Sequence, residues 1–441
     1  MQYQSWGVAV VAAMAGFLFG FDTVVISGAN LPIKELWQTS PWFHGFFIMS
    51  MALWGTVLGA LLGGWPTDAW GRKPTLFWIG VLYTVSALGS ALAPEPYSFS
   101  FFRFIGGVGV GISSVAAPAY IAEIAEARLR GRLVAAYQFN IVFGILAAFI
   151  SNYLLQGVGG ANDWRWMLGI ETLPAVLYTL LVLQIPESPR WLMVKKNNRL
   201  AAEQALIKLG VQNTAALLNQ VAQSATMRAA SAKLLSKELS RPLFLAFCIA
   251  FFNQLSGINF ILYYAPEILE RAGLGTSDSL FNSIALGLVN LVFTFVGLYL
   301  IDRSGRRFLI ILGSVGYIVS LGMVAFSFFH SAGTVLLLTF LLVFIASHAI
   351  GQGTVIWVFI SEIFPNKVRA AGQAFGASVH WVLAAVITLV TPVFLDQTHG
   401  LLRHQPGYIF LFFMVMMVVQ LVWAVALMPE TRGKSLEEIA G

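Results

Sequence analysis

The sequence predicts an all-α membrane protein, with twelve transmembrane helices in two six-helix halves joined by a linker of short helices. Three observations carry that prediction. Of the 441 residues 58% are hydrophobic and only 10% charged, whereas soluble domains carry roughly 25% charged residues, so most of this surface faces lipid. Apolar runs long enough to cross a bilayer core of about 30 Å, roughly 20 helical residues each, recur along the chain. The chain also states its charged punctuation twice, in the same order.

The first run, 6–29, is too long for a signal-peptide core and lacks a basic leader, so it reads as span one. Runs at 43–64, 74–93, 97–119, 132–155 and 167–185 complete a first set of six. Pro94, Pro96, Pro118 and neighbouring glycines blur the edges of spans three and four, and glycines those of span ten. The second set lies at 242–265, 280–301, 307–329, 333–360, 370–395 and 405–428. Between the sets, 187–241 is polar and holds no span. The spacing of Leu200, Leu206 and Leu209, and of Leu234, Leu235 and Leu239, suits short amphipathic helices at the membrane surface. The expected domains are therefore an N-terminal half (1–186), a helical linker (187–241), a C-terminal half (242–428) and a tail (429–441).

The repeated phrases fix the halves as homologous. Asp68-Ala69-Trp70-Gly71-Arg72-Lys73 returns as Asp302-Arg303-Ser304-Gly305-Arg306-Arg307. Glu123 lies seven residues before Arg130, as Glu362 lies seven before Arg369. Pro186-Glu187-Ser188 returns as Pro429-Glu430-Thr431. The offsets are 234, 239 and 243 residues. Two similar halves in a membrane protein are the usual basis of a rocking transporter.

Lys and Arg placement orients the chain. With both termini cytoplasmic, 21 of the 26 basic residues fall on the cytoplasmic side; Lys34, Arg165, Arg271 and Arg403 lie outside, and Arg103 lies in or beside span four. This asymmetry explains the formal charge of +6 without a nucleic-acid partner. The single cysteine, Cys248, excludes a disulfide framework, and no Asn-x-Ser/Thr acceptor is present. Six scattered histidines lack metal spacing, and neither a nucleophile elbow nor a phosphate-binding loop occurs, so no enzyme, cofactor or metal is expected. The glycine run starting at Gly106 sits inside an apolar span and reads as a close helix-packing surface.

Several stretches together resemble the sugar porter family of the major facilitator superfamily. They are "GFLFGFDTVVISG" in span one, "DAWGRK" after span two, "RFIGGVGVG" in span four and "PAYIAEIAEARLRGRL" entering span five. "PESPRWL", "NQLSGINFILYYAP", "DRSGRR", "SEIFPNKVRA" and "PETRGKSLEEI" follow in family order. The resemblance covers nearly the whole chain and implies the major facilitator fold, alternating access, a monosaccharide substrate and a protein working as a monomer in the bilayer of the cytoplasmic membrane.

Carried over residue by residue, the resemblance implies a sugar site of Gln138, Asn253, Gln254, Asn259, Asn290, Trp357, His380 and Trp381. The chemistry suits it. Amides donate and accept at once, as sugar hydroxyls do, and an aromatic plate lies against the ring face. Buried amides also bridge helices in many membrane proteins, and a lone histidine among apolar residues is commonly structural. Gln254 and Asn259 are five residues apart, about 140° around an ideal helix, so they share a cavity only if span seven bends, for which Ser256-Gly257 is the place. Three departures stand out. Relatives usually carry Gln-Gln where this chain has Asn253-Gln254. They often place Asn before the tryptophan where it has His380. Span ten reads Gln352, Thr354 and Ile356 where many relatives have prolines.

Asp22 inside span one, Arg103 and Glu171 in span six match the family's proton-coupling network. Relatives coupled to protons often carry Asp at the first position, and facilitative ones typically Asn. The expectation is proton-coupled symport of a hexose or pentose; a uniporter with a static Asp22–Arg103 pair and a non-transporting sugar sensor are the alternatives. Sensors usually carry long tails, and here about a dozen residues follow Pro429. The repeated charges Asp68, Arg72, Glu123, Arg130 and Glu187, with Asp302, Arg306, Glu362, Arg369 and Glu430, read as a cytoplasmic gate in which Asp68 and Asp302 cap the turns; the plainer alternative is solvated loop charges worth about 0–1 kcal/mol each.

Overall fold

The computed structural model describes residues 2–125, 130–211, 214–215, 217–219, 236, 239–365 and 368–433. Among them every regular element is helical. Eleven helices are long and apolar enough to cross a membrane, and the pair Pro41–Met49 and Met51–Leu62, bent by 42°, makes the twelfth. Span one is Gln2–Trp37, span three Arg72–Leu92, span four Pro96–Ile124 and span five Arg130–Leu155. Span six breaks between Asp163–Gly169 and Thr172–Gln184, with Glu171 at the break. Span eight is Thr276–Ser304, span nine Arg306–His330, span eleven Arg369–Leu395 and span twelve Gly407–Ala426. Span four starts with Pro96 in its first turn, where the missing N–H leaves no bond unmade.

The breaks in spans seven and ten have local causes. Span seven runs Ser240–Leu255, then Ile258–Tyr263 and Ala265–Arg271. The first interruption is Gly257 at φ +85°, a left-handed backbone that a β-carbon disfavours. The bend expected at Ser256-Gly257 is therefore present. Span ten divides into Thr334–Ile350 and Gln352–Ile363 at Gly351. Without the prolines common in relatives, the divide is made by glycine, and Thr354 satisfies the Ala349 carbonyl across it at 2.6 Å.

The chain forms two compact units, residues 1–23, 54–145 and 168–232 in one, and 24–53, 146–167 and 233–441 in the other. In the first, the glycine run of span four is a packing surface, as expected. A β-carbon at Gly111 would collide with the backbone of Thr56 and Ala60 in span two, and one at Gly106 with Ser86 of span three. The second unit contains the C-terminal spans together with the stretches of spans one, two and five farthest from the repeated charged turns. Within it, Gly45 approaches the Leu389 carbonyl too closely for any side chain, and Gly287 lies against the backbone of Leu146.

In the linker, Ser188 and Asn198 cap the short helices Pro189–Val194 and Arg199–Lys208. Ala202, Leu206 and Leu218 form a small core, covered by Leu192, Met193 and Val211. Leu209 is buried as its spacing suggests, but Leu200 is exposed, because the helix turns that position away from this core. Leu234 and Leu235 lie outside the described residues, as does the side chain of Arg130.

Candidate functional site

Three polar constellations contain most of the residues singled out by the sequence. The first belongs to spans one, four and six. Arg103 Nη1 donates to Asp22 Oδ1 at 2.5 Å and Nη2 to the Asp22 carbonyl at 3.0 Å. Both residues are 2% exposed, and Glu171 beside them is 1% exposed. Glu171 lies near enough to interact with both charges, and its Oε1 is buried without a hydrogen-bond partner. The sequence dictates the tight fit, since a β-carbon at Gly106 would stand 3.7 Å from Asp22 Oδ1 and inside Ser86. Two acids and one guanidinium thus share one buried group, in which an uncompensated charge is costly.

The second constellation lies in spans seven, ten, eleven and twelve. The Gly257 bend brings Asn259 Nδ2 to Gln254 Oε1 at 2.8 Å. Gln254 Nε2 donates to Asn253 Oδ1 at 3.0 Å and reaches the His380 ring at 3.1 Å. The His380 ring lies 5.1 Å from that of Trp357 and 4.7 Å, edge-on, from that of Trp381. Trp357 is partly exposed, which suits a plate for a ligand. Six expected residues, Asn253, Gln254, Asn259, Trp357, His380 and Trp381, thus come together. Asn290 is buried on span eight, outside this hydrogen-bonded run, and Gln138 is half-buried on span five in the first unit.

Sequence reasoning missed the continuation. Asn253 Nδ2 points to Gln352 Oε1 at 3.5 Å, Gln352 Nε2 to Gln420 Oε1 at 2.8 Å, and Gln420 Nε2 to Ser314 Oγ at 2.7 Å. A further polar group was missed near the end of span one. Asn30 donates to Glu267 at 2.7 Å and shares a 2.7 Å bond with His44, which bonds Thr39 in turn. Lys34 pairs with Asp396 nearby. The only sequence signal for these was polar side chains at or within span ends.

The third constellation is built twice. In the first unit, Arg72 Nε and Nη2 grip the Glu123 carboxylate at 2.9 and 2.8 Å, and Ser188 donates to the same carboxylate at 2.6 Å. In the second, Arg306 grips Glu362 at 3.1 and 2.8 Å, and Thr431 donates to it at 2.6 Å. The capping role expected of Asp68 and Asp302 falls to other residues. Gly71 and Gly305 start spans three and nine without side-chain caps. The open N–H groups there are taken by Glu187, from Arg72 and Lys73, and by Glu430, from Arg306 and Arg307. Asp68 and Asp302 are half or more exposed and pair one helical turn onward with Arg72 and Arg306. The helix dipole explains the exchange, since a carboxylate facing the first N–H groups is better placed than one beside them. Burial pushes the Glu187 carboxyl above its usual range, against those backbone hydrogen bonds and the Arg72 charge. Arg369 donates to the Phe364 carbonyl at 3.4 Å.

Residues 8–441 match the family model for sugar (and other) transporters. The chain belongs to that family. This transporter is 32% identical over 476 residues to the D-xylose-proton symporter of Escherichia coli (strain K12), covering 99% of this chain and 96% of that protein. It is 32% identical over 441 residues to the arabinose-proton symporter of Bacillus subtilis (strain 168), covering 98% and 93%. The solved structure of the E. coli xylose transporter in a partially occluded, inward-open conformation matches it with a TM-score of 0.86 at 30% identity, over 98% of this chain and 99% of that one. The chain is a multi-pass membrane transporter of the major facilitator fold.

Proposed function

We propose that this transporter carries a monosaccharide, a hexose or pentose, together with a proton across the cytoplasmic membrane by alternating access, as a monomer with both termini cytoplasmic. The observation that carries the reading is the buried group of Asp22, Arg103 and Glu171. With one cation between two acids it binds a proton when neutral, and releasing that proton strengthens the hold on Arg103, which links spans one and four. The amide cluster of span seven, with Trp357, His380 and Trp381 about it, has the chemistry of a sugar site. Asn290 completes it on the family pattern. The symporters of xylose and arabinose among the relatives support both halves of the reading, and the excess of Lys and Arg on one side supports the orientation.

The repeated Arg–Glu pairs, with Arg130 and Arg369, serve on this reading as the cytoplasmic gate. The polar group of Asn30, His44 and Glu267, with Lys34 and Asp396, serves as the outer one.

Asp22→Asn tests the coupling. It imitates the protonated acid and leaves Arg103 without its anion. Sugar exchange across proteoliposomes persists, whereas accumulation driven by an imposed pH gradient is lost. A variant that still concentrates sugar and acidifies the lumen as the parent does makes Asp22 structural. A parent that never accumulates sugar supports the uniporter instead.

A further inference from the structure

We infer that Ser314, Gln420 and Gln352, in spans nine, twelve and ten, form a positioning relay that decides which atoms of Asn253, Gln254 and Asn259 face the substrate. The inference rests on the sugar-site reading above. An amide turned by 180° keeps its shape but exchanges donor for acceptor. A cluster of amides therefore has no defined polarity unless something at one end fixes it.

Here the anchor is a backbone carbonyl, which can only accept. The Ser314 hydroxyl donates to the Ile310 carbonyl at 2.7 Å. Its oxygen then accepts from Gln420 Nε2, which turns Gln420 Oε1 toward Gln352. Gln352 donates to it, so its own Oε1 faces Asn253. Asn253 donates to Gln352 and accepts from Gln254, and Gln254 accepts from Asn259. Six hydrogen bonds run in one direction, and only the last acceptor has a polarity set by its chemistry.

Ser314, Gln420 and Gln352 are all 0% exposed, where an amide left unpaired is strongly disfavoured and a fully satisfied chain is mutually reinforcing. Asn259 is the half-buried open end, and the acceptor it carries there is Oδ1. The other face of Gln254 Nε2 meets the His380 ring, with both ring nitrogens at 3.1 Å. The relay thus presents an acceptor, Oδ1, at Asn259. A sugar hydroxyl at that place must donate to it, so the site favours the epimer whose hydroxyl points there.

Binding to purified protein of D-xylose against L-arabinose, and of D-glucose against D-galactose, tests this, because each pair differs only at the C4 hydroxyl. Ser314→Ala and Gln420→Met free the polarity. Each is expected to lower affinity for the preferred sugar about three- to tenfold, the range spanned by one hydrogen bond, and to shrink the ratio between epimers. Gln420→Glu still accepts from Gln352 and keeps the parent ratio. A role confined to holding helices together lowers thermal stability and leaves the ratio untouched, and that result in both Ser314→Ala and Gln420→Met overturns the relay. If Gln420→Met does not fold, Ser314→Ala alone decides, since it removes one oxygen. A parent that binds none of the four sugars overturns the sugar-site reading itself, which is a separate outcome.

Discussion

Replacing Gly257 by alanine perturbs backbone and substrate site at one point. At φ +85° a non-glycine residue is disfavoured by about 1–2 kcal/mol. The added β-carbon also stands 2.7 Å from the Phe413 ring, and overpacking of this kind costs about 1–3 kcal/mol. The folded state is thus destabilised by about 2–5 kcal/mol if the bend survives. The chain can escape by straightening span seven into a continuous helix. Gln254 and Asn259 then return to about 140° apart, and their 2.8 Å hydrogen bond is lost. We expect thermal unfolding in detergent at a clearly lower temperature, together with at least tenfold weaker binding of whichever sugar the parent prefers. Phe413→Ala alone costs about 3–5 kcal/mol, and because it removes the overlap it should cost clearly less in Gly257→Ala than in the parent. Gly257→Ala with an unchanged melting temperature and unchanged sugar affinity would refute the argument that this glycine shapes the site.

Two further predictions concern the repeated turns. Glu123→Gln with Glu362→Gln removes a charged acceptor from each arginine fork, at about 1.5–3 kcal/mol apiece, and opens the proposed cytoplasmic gate. Cysteine-accessibility labelling of that face should rise, and labelling equal to the parent's removes the gate from the account. The second concerns Glu187, whose carboxyl burial raises above its ordinary value of 4.5. Between that value and the raised one the folded protein holds a proton that the unfolded chain releases. Its contribution to stability therefore falls as pH rises through that window and is level above it. Glu187→Gln should flatten that part of a melting-temperature profile, and an unaltered slope shows that another group sets it.

The spans were legible because lipid leaves a helix no alternative to a long apolar run. The bend at Gly257 was legible because two amides five residues apart had to meet. Other features lacked any local trace. Gln352 and Gln420 are 68 residues apart, and Gln420 and Ser314 106; each reads singly as a polar residue in a span, with nothing to name its partner. The Asp68 cap failed for a related reason. Proximity in sequence favoured a neighbour of the turn, whereas the acceptor that reaches the Arg72 N–H comes from Glu187, 115 residues away.

The duplication itself marks a boundary between what sequence symmetry reveals and what it conceals. The arginine forks, the glycine turns and their carboxylate caps occur in both halves with matching partners, so they are properties of the ancestral half and specify architecture. The membrane-buried charges do not repeat. Asp22, Arg103 and Glu171 all fall in the first six spans, while the apolar runs 242–265, 280–301, 333–360, 370–395 and 405–428 contain no Asp, Glu, Lys or Arg, and the acids of the second half, Glu267 among them, stand at span ends. The run of amides from Asn259 to Gln420 lies wholly in the second half. A symmetric scaffold thus carries the proton chemistry of the proposed function in its first half and the amide run in its second. On the proposed function, proton and sugar then never compete for the same side chains. On that reading proton and sugar occupy distinct sites, and what links them is a coupling free energy that acts reciprocally, each ligand shifting the binding of the other by the same factor.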